Sequence, residues 1–352
     1  MKYSIIPETT DDKEKLDTYQ KFLPAIDTSM PLIISRSIMA GVRLNIFDTI
    51  GHDAVTSTKL AQSLSLNEES LTLLLNVLTG AGYLNVDNDH YRLSDISKNL
   101  LLRNNPDNLC VNVEYAYLRW KMIDQLENVI QTGKGIDLHQ SFLNDPDSWN
   151  TYQRSMFGFA RTIAKQIAPL VPVMPNAKKL LDIGGSHGLM GAEICKLHPP
   201  MTSTVFDLLD AIAQAQKIGE SEGLDAYVSY QAGDALADEL GSNYDVVFVG
   251  NLMHHFSEEQ NKLLIQKITK ALSPNGTLAI YDVGHKKSTS FPDVFEAATS
   301  LMFHINSSGK CYLPEEYISW LKSAGFVDCK SYDSLHGIIL VSGIYRQQVR
   351  VL

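Results

Sequence analysis

The chain has 352 residues, 44% of them apolar, which is long enough for two domains with separate cores. Its 30 basic and 40 acidic residues leave a formal net charge of -10, which argues against nucleic acid or an anionic membrane as the main partner. Cys110, Cys195, Cys311 and Cys329 are scattered without metal-ligand spacing and read as reduced thiols of a cytoplasmic protein. Met1–Lys21 is too polar for a signal peptide, and no apolar run approaches the roughly 20 residues of a membrane span.

Met1–Gln20 reads as a polar arm or a first short helix. Phe22–Phe47 carries Leu32, Ile33, Ile34, Ile38, Met39, Val42 and Leu44 and reads as a helix buried in a core or in a subunit interface. Thr56-Ser57-Thr58 offers caps for a helix at Lys59–Leu64, and Asn67 caps another at Glu68–Gly80. Leu71, Leu74, Leu75 and Leu78 put one apolar face on that second helix. Leu84–Val86 and Tyr91–Leu93 flank an Asp87-Asn88-Asp89 turn and read as a hairpin; Ser94 then caps a helix through Leu102. Helix, helix and wing make a winged-helix pattern. A reader of DNA needs cations for phosphate and polar forks for base edges. Glu68–Gly80 has no Lys or Arg, and residues 31–105 hold six basic and seven acidic residues. The pattern therefore reads as a dimerisation module and not as a DNA reader.

Leu109–Ile130 is amphipathic and aromatic, Gly133-Lys134-Gly135 breaks it, and Asp137–Asn150 reads as loop. Tyr152–Leu170 is a long helix, and Pro169, Pro172 and Pro175 form a short linker after it. The stretch Leu180-Leu181-Asp182-Ile183-Gly184-Gly185-Ser186-His187-Gly188 follows. It reads as a strand, a glycine turn and the start of a helix, the arrangement that brings backbone close to a nucleotide. A second strand, Thr202–Phe206, ends in Asp207, where a carboxylate suits a ribose diol. A third, Tyr227–Tyr230, leads to Gly233-Asp234-Ala235. Tyr244–Gly250 is a fourth strand and runs into Asn251-Leu252-Met253-His254-His255-Phe256. Ser257 and Gln260 form a capping box for Glu258–Leu272. Ser273–Gly276 is a turn, Thr277–Tyr281 a strand ending in Asp282, and Phe291–Phe303 a helix. A helix from Leu313-Pro314 to Ala324 and two strands, Phe326–Tyr332 and Gly337–Ile344, close the chain. Alternating strands and helices over Leu180–Leu272 predict an α/β, doubly wound, Rossmann-like parallel sheet ending in an antiparallel hairpin. A typical dinucleotide-binding domain does not end in a hairpin.

These residues resemble class I S-adenosylmethionine-dependent small-molecule O-methyltransferases with a mainly α-helical, N-terminal winged-helix dimerisation domain, such as the caffeic acid and hydroxyneurosporene enzymes. The resemblance runs from about Leu32 to Ile344. It is carried by Leu180–Gly188, Phe206-Asp207-Leu208, Gly233–Leu236 and Leu252–Gln260. It implies a dimerisation domain over 1–105, a helical linker and substrate lid over 106–172, and a cofactor domain over 173–352. It implies S-adenosyl-L-methionine as cofactor, contacted by Asp182, Gly184, Gly185, Gly188, Asp207, Leu208, Asp234, Ala235 and Asn251. His254 matches the family's catalytic base, and Asp282 matches the acid that orients it. Met156, Phe159, His255, Met302 and Phe303 fall where the family lines its acceptor pocket. Phe295 joins them there.

Three positions depart from the family. His255 stands where an Asp is frequent, Ser186 where a third glycine is usual, and Cys311 where a second acid often follows Gly309-Lys310. No metal is expected, since adjacent histidines on one turn do not converge on one ion. The activity implied is methyl transfer to a phenol or enol hydroxyl of an aromatic or polyketide-like secondary metabolite by a homodimer. The alternatives are a non-methylating enzyme of the same fold, pericyclase-like or hydroxylase-like, and N- or C-methylation. An NAD-dependent oxidoreductase is disfavoured by the acid before the glycines and by the terminal hairpin, and a ligand-sensing transcription regulator by a second helix without Lys or Arg.

Overall fold

The computed structural model describes residues 7, 9–142, 145–284, 293–333 and 338–346. The chain forms two compact units divided between Trp120 and Lys121. In the first, α1 (Thr10–Tyr19) is capped by the Thr9 hydroxyl, and α2 (Leu23–Arg43) follows. The single helix expected over Phe22–Phe47 is two, because Asn45 adopts φ 56° and restarts the chain as α3 (Ile46–Ile50). Then come β1 (Val55–Thr56), α4 (Ser57–Leu64), α5 (Glu68–Gly80), β2 (Leu84–Asp87), β3 (His90–Leu93) and α6 (Asp95–Leu100). Thr56, Asn67 and Ser94 cap α4, α5 and α6 through their side-chain oxygens. The strands pair antiparallel in the order β1-β3-β2. Phe47, Leu60, Leu71, Leu75, Leu78, Leu84 and Leu93 fill the core, the same face of α5 that the leucine spacing predicts. The amphipathic stretch 109–130 is also two helices, α7 (Cys110–Ile123) and α8 (Leu126–Thr132).

The second unit continues with α9 (Leu138–Ser141) and α10 (Pro146–Ile167). The expected loop over 137–150 thus contains α9 and the first turn of α10, while its residues 143 and 144 lie outside the described ones. Asp145 caps α10 by accepting from the Ser148 N–H, and Pro146 occupies the first turn, so the helix begins six residues before Tyr152. The sheet is built from β4 (Lys179–Ile183), β5 (Thr202–Asp207), β6 (Val228–Ala232), β7 (Tyr244–Gly250), β8 (Leu272–Val283), β9 (Phe326–Asp333) and β10 (Ile338–Tyr345). Its order is β6-β5-β4-β7-β8-β10-β9. The first five strands in that order are parallel, and the terminal hairpin adds β10 antiparallel to β8 with β9 outside it. The expected turn at Ser273–Gly276 is a register irregularity within β8, with Asn275 at φ 63°. The expected strand start at Gly337 and helix start at Phe291 lie outside the described residues.

The connecting helices are α11 (Leu189–Leu197), α12 (Leu209–Ser221), α13 (Glu258–Ala271), α14 (Val294–Ser307) and α15 (Pro314–Ser323). Alternation along the strands splits the apolar residues between two cores. Leu181, Ile183, Val247, Val249, Leu278 and Ile280 pack with Leu264, Ile265 and Ile268 of α13 and Trp320 and Leu321 of α15. Leu180, Val246, Phe248, Ala279 and Tyr281 pack with Ile167 and Ile194. Both faces being covered, the ligand-accessible rim is the carboxyl ends of the parallel strands. Leu264 is fully buried in the first of these cores. Leu264→Ala is expected to cost about 2–5 kcal/mol, read as a lower denaturant midpoint at unchanged slope.

Candidate active site

Sheet order brings the ends of β6, β5, β4 and β7 side by side, and with them most of the residues singled out from sequence. After β4 the chain turns through Gly184 (φ 67°), Ser186 (φ 49°) and Gly188 (φ 79°), and Gly188 opens α11. A Cβ on Gly185 would lie 2.4 Å from the Asp182 carboxyl carbon, so that turn closes over the acid only because glycine is there. Ser186 takes its left-handed conformation without being glycine, and its N–H donates to Asp207 Oδ2 at 2.9 Å. The Leu208 N–H donates to Asp207 Oδ1 at 2.8 Å. Asp207 therefore bolts the glycine turn to the end of β5. Burial raises its carboxyl above the usual range, against the pull of these two amides and of His139.

Asp182 is 1% exposed, and neither carboxylate oxygen has a hydrogen bond of ordinary geometry among the described residues. Burial pushes its carboxyl up to about 7; the nearby Asp207 charge adds to this and the Gly191 N–H opposes it. Two unsatisfied carboxylate oxygens beside a glycine turn suit a cationic, hydrogen-bond-donating ligand. Asp234, beyond β6, is exposed, and accepts from the Leu236 N–H at 2.8 Å, with Ala235 half-buried beside it. Asn251, beyond β7, is exposed at φ 51°, and its N–H donates to the Tyr281 carbonyl. His187 stays inside the fold. Its Nδ1 accepts from the Leu189 N–H, its ring packs edge-on against Phe157, and burial lowers its pKa to about 4.

His254 lies in a single 3₁₀ turn, Met253–His255, between β7 and α13. The turn is held from three sides. Met253 is fully buried, the Asn261 amide donates to the Met253 and Phe256 carbonyls, and the Tyr312 hydroxyl donates to the Phe256 carbonyl. Gly309 lies so close that a Cβ there would fall 1.9 Å from the His254 carbonyl oxygen. His254 Nδ1 is 2.5 Å from Asp282 Oδ1, and the His254 N–H donates to Asp282 Oδ2 at 3.1 Å. The Tyr317 hydroxyl donates to Oδ2 at 2.9 Å, and the Val283 N–H to Oδ1 at 2.8 Å. An ionised Asp282 is acceptor-only, so His254 Nδ1 carries a proton and Nε2 carries the lone pair. Nε2 has no partner among the described residues. Phe303 stacks on the imidazole, ring centroids 3.6 Å apart at 18°.

His255 packs on His254 with centroids 4.3 Å apart, and His139 of α9 stands 5.7 Å from His255. Trp149 and Tyr152 of α10 pack around His139. Burial lowers the pKa of both His139 and His255, the latter well below its usual value with the neighbouring histidines adding to the effect. Of the expected pocket residues, Phe303 and His255 join this group, and Met156 and Met302 are half-buried. Phe159 and Phe295 are exposed at 50% and 61% and make no ring contact with the histidines among the described residues. Cys311 is buried and its thiol is pushed up to about 12, so it is not a second acid. Sequence reasoning missed His139, Tyr317, Asn261 and Ser307. Among the described residues no group of three or more metal-ligating side chains occurs, and no helix is long and apolar enough to cross a membrane.

Residues 115–327 match the O-methyltransferase domain family, and residues 27–103 match the O-methyltransferase dimerisation domain. The chain is 24% identical over 304 residues to the 3-hydroxy-5-methyl-1-naphthoate 3-O-methyltransferase of Streptomyces sahachiroi, covering 85% of this chain and 88% of that one. It is 25% identical over 317 residues to the tetracenomycin polyketide synthesis 8-O-methyl transferase TcmO of Streptomyces glaucescens, covering 87% and 91%. Its fold matches human N-acetylserotonin methyltransferase, solved in complex with SAM, with a TM-score of 0.82 at 17% identity over 93% of this chain and 98% of that one.

The Asp182 carboxyl has a pKa near 7 when folded and, when unfolded, one near the ordinary ~3.9 of an aspartate. The folded state therefore binds more protons between these values. Its contribution to stability is full below pH ~4 and is lost as pH rises through ~7. Asp182→Asn is expected to flatten that fall and to exceed the wild type in stability at pH 8, by up to about 4 kcal/mol. Denaturant titrations of the ligand-free proteins across this range measure it. An unchanged pH slope in the variant contradicts the assignment.

Proposed function

The chain belongs to the O-methyltransferase family, and we propose that His254 is the base of its reaction. Its cofactor is S-adenosylmethionine, and its acceptor is a hydroxyl of a small metabolite. We read that hydroxyl as a phenol or enol of an aromatic or polyketide-like compound, on the strength of relatives named for a naphthoate and for tetracenomycin.

One observation carries the role of His254. Asp282 fixes its Nδ1 proton, so the unpartnered Nε2 is left as the acceptor, stacked against Phe303 at the strand ends. There it takes the proton of the acceptor hydroxyl, and Asp282 stabilises the imidazolium that forms. Phe303 holds the imidazole flat on one side and excludes water from it.

The residues present fit the cofactor. When bound, it supplies a methyl group activated on a sulfonium, so the protein's part is orientation and proton removal. Asp207, Asp234 and Ala235 would hold the ribose and adenine, with Leu208 alongside. Asp182, Gly184, Gly185 and Gly188 would hold the methionyl part, where the unsatisfied Asp182 oxygens suit an ammonium group. Asn251 would close the rim between them. Met156, Met302, Phe303, Phe159 and His255 would face the acceptor.

We read residues 1–105 as the dimerisation domain, 106–172 as linker and lid, and 173–352 as the cofactor domain. A homodimer is supported by the match over 27–103 and by Met30, Leu32 and Ile33, all exposed on α2. The cytoplasm suits its four free thiols.

Two measurements test this. His254→Ala is expected to lower kcat/KM by about 10²–10⁴ while calorimetry still finds S-adenosylmethionine binding. Asp207→Ala is expected to weaken binding of both S-adenosylmethionine and its demethylated product by tenfold or more, as about 1.5–3 kcal/mol for hydrogen bonds to a charged group implies. Full activity in the first variant, or undiminished affinity in the second, refutes the corresponding role.

A further inference from the structure

The segment between α8 and α9 is tied to the C-terminal end of α14 through main chain. The last carbonyls of a helix have no partner within it. Ile305 lies in the last turn of α14, and its carbonyl accepts from the Ile136 N–H at 2.7 Å. The Gly135 N–H donates to the Ser308 hydroxyl at 2.7 Å, and Ser308 is the C-cap of the same helix. The two stretches come so close that a Cβ on Gly135 would lie 2.3 Å from the His304 carbonyl oxygen, 2.5 Å from the Ser308 nitrogen and 2.9 Å from the Ile305 carbonyl oxygen. All three are backbone atoms, which cannot swing aside as the tip of a side chain can. Gly135 is not among the glycines at positive φ, so what it supplies is space and not a special backbone conformation.

Both sides of this contact line the histidine group. Beyond Gly135, His139 of α9 stands 5.7 Å from His255 and stacks on Trp149. From α14, Phe303 stands 5.9 Å from His255 and stacks on His254. His255 therefore has one ring near it from each side of the contact. Leu138 and Phe142, both buried, anchor α9, and Phe142 packs on Trp149 with centroids 5.6 Å apart. A segment pinned at residues 135–136 and again at 138–142 has little slack. The placement of the His139 ring relative to Phe303 thus follows from how near Gly135 comes to α14.

We propose that Gly135 is a specificity-determining position: its missing side chain lets the segment seat on α14, and that seating sets the spacing of His139 and Phe303 and so the size of acceptor ring system admitted beside His254. The proposal rests on the reading of His254 as base. A side chain at position 135 lifts the segment off the α14 backbone, carries His139 away from Phe303 and widens the site. A small acceptor then loses the packing that holds its hydroxyl at His254 Nε2, where a misplacement of about 1 Å costs on the order of 10²-fold in rate. A larger ring system fills the added space and loses less.

The test uses the full-length protein and three acceptors of increasing size, each with one hydroxyl: phenol, a naphthol and a hydroxyanthracene. Turnover with S-adenosylmethionine is followed by product mass, and acceptor binding is followed by calorimetry with S-adenosylhomocysteine present. In Gly135→Ala the kcat/KM ratio of the three-ring to the one-ring acceptor is expected to rise by about tenfold or more over the wild type, with cofactor affinity unchanged. Ser308→Ala removes one of the two hydrogen bonds and adds no atom, and is expected to move the ratio the same way by less. Gly133→Ala strains a φ of 68° in the same segment, but its Cβ meets nothing within 4 Å, and it is expected to leave the ratio unchanged. The proposal is overturned by an equal loss for all three acceptors in Gly135→Ala, by the same shift in Gly133→Ala, or by a wild type that binds none of the three. If Gly135→Ala no longer binds cofactor, Ser308→Ala decides alone, and an unchanged ratio there overturns the proposal. Failure of the base assignment looks different: His254→Ala would keep the wild-type rate, while the shift in acceptor preference in Gly135→Ala persists.

Discussion

The Asp282 carboxylate sits at the end of β8, fully buried, with four donors around two oxygens. A carboxylate has about four lone-pair sites, so none is left over. That saturation is what allows a charge to remain in a place where, unpaired, it would cost several kcal/mol. The four donors come from three elements: β8 itself, the 3₁₀ turn after β7, and α15. The same contacts that satisfy the charge therefore fix where His254 stands and which of its nitrogens is bare. Tyr317 contributes because burial and the adjacent Asp282 push its hydroxyl well above the usual range, so it remains a donor. Asn261, Tyr312 and Gly309 hold the backbone of the same turn, so the imidazole is placed by its main chain as much as by its partner.

Much of this was legible from the order of residues. Strand ends followed by Gly184-Gly185, Asp207, Asp234 and His254 are local signals, and a parallel sheet gathers the carboxyl ends of its strands on one rim. The leucine face of α5 and the capping residues Asn67, Ser94 and Ser257 are equally local. What escaped reading came from far along the chain. Tyr317 reaches Asp282 over 35 residues and Ser307 reaches His255 over 52, and nothing about a tyrosine in a capped helix or a serine near a helix end marks it for either task. His139 lay in a stretch that reads as loop because Asp137, Asn144, Asp145 and Pro146 are turn formers. The same Asp145-Pro146 pair is also a helix start, and the chain uses it as one. The opposite error arose at Asn45, where an unbroken apolar run hid a left-handed residue that splits one helix into two.

The rim is electrically divided. At one end the Asp207 charge adds to the cost of ionising the buried Asp182, whose oxygens have no hydrogen bond of ordinary geometry among the described residues. Such a pair is a poor arrangement for an isolated protein and a good one for a protein that receives a cation. Beside it are three imidazoles, of which His139 feels the Asp207 charge and His255 is held neutral by burial, with aromatic rings from α10 and α14 around them. A surface that favours positive charge on one side and neutral donors on the other orders two different ligands without needing a metal or a third charge.

His255 changes the character of that second end. A carboxylate beside the base would bring a full charge into a site already closed by aromatic rings, and its desolvation would have to be offset by donors of its own. A neutral imidazole avoids that cost and still offers an acceptor. It gives up the long-range field of a charge and keeps only a directional lone pair, so it discriminates by geometry. Its Nδ1 lies 3.0 Å from the Ser307 hydroxyl, which also reaches the Phe303 carbonyl of its own helix at 3.0 Å. A substitution that reads as the loss of an acid is, in physical terms, the exchange of a charge for a neutral, directional hydrogen-bonding group.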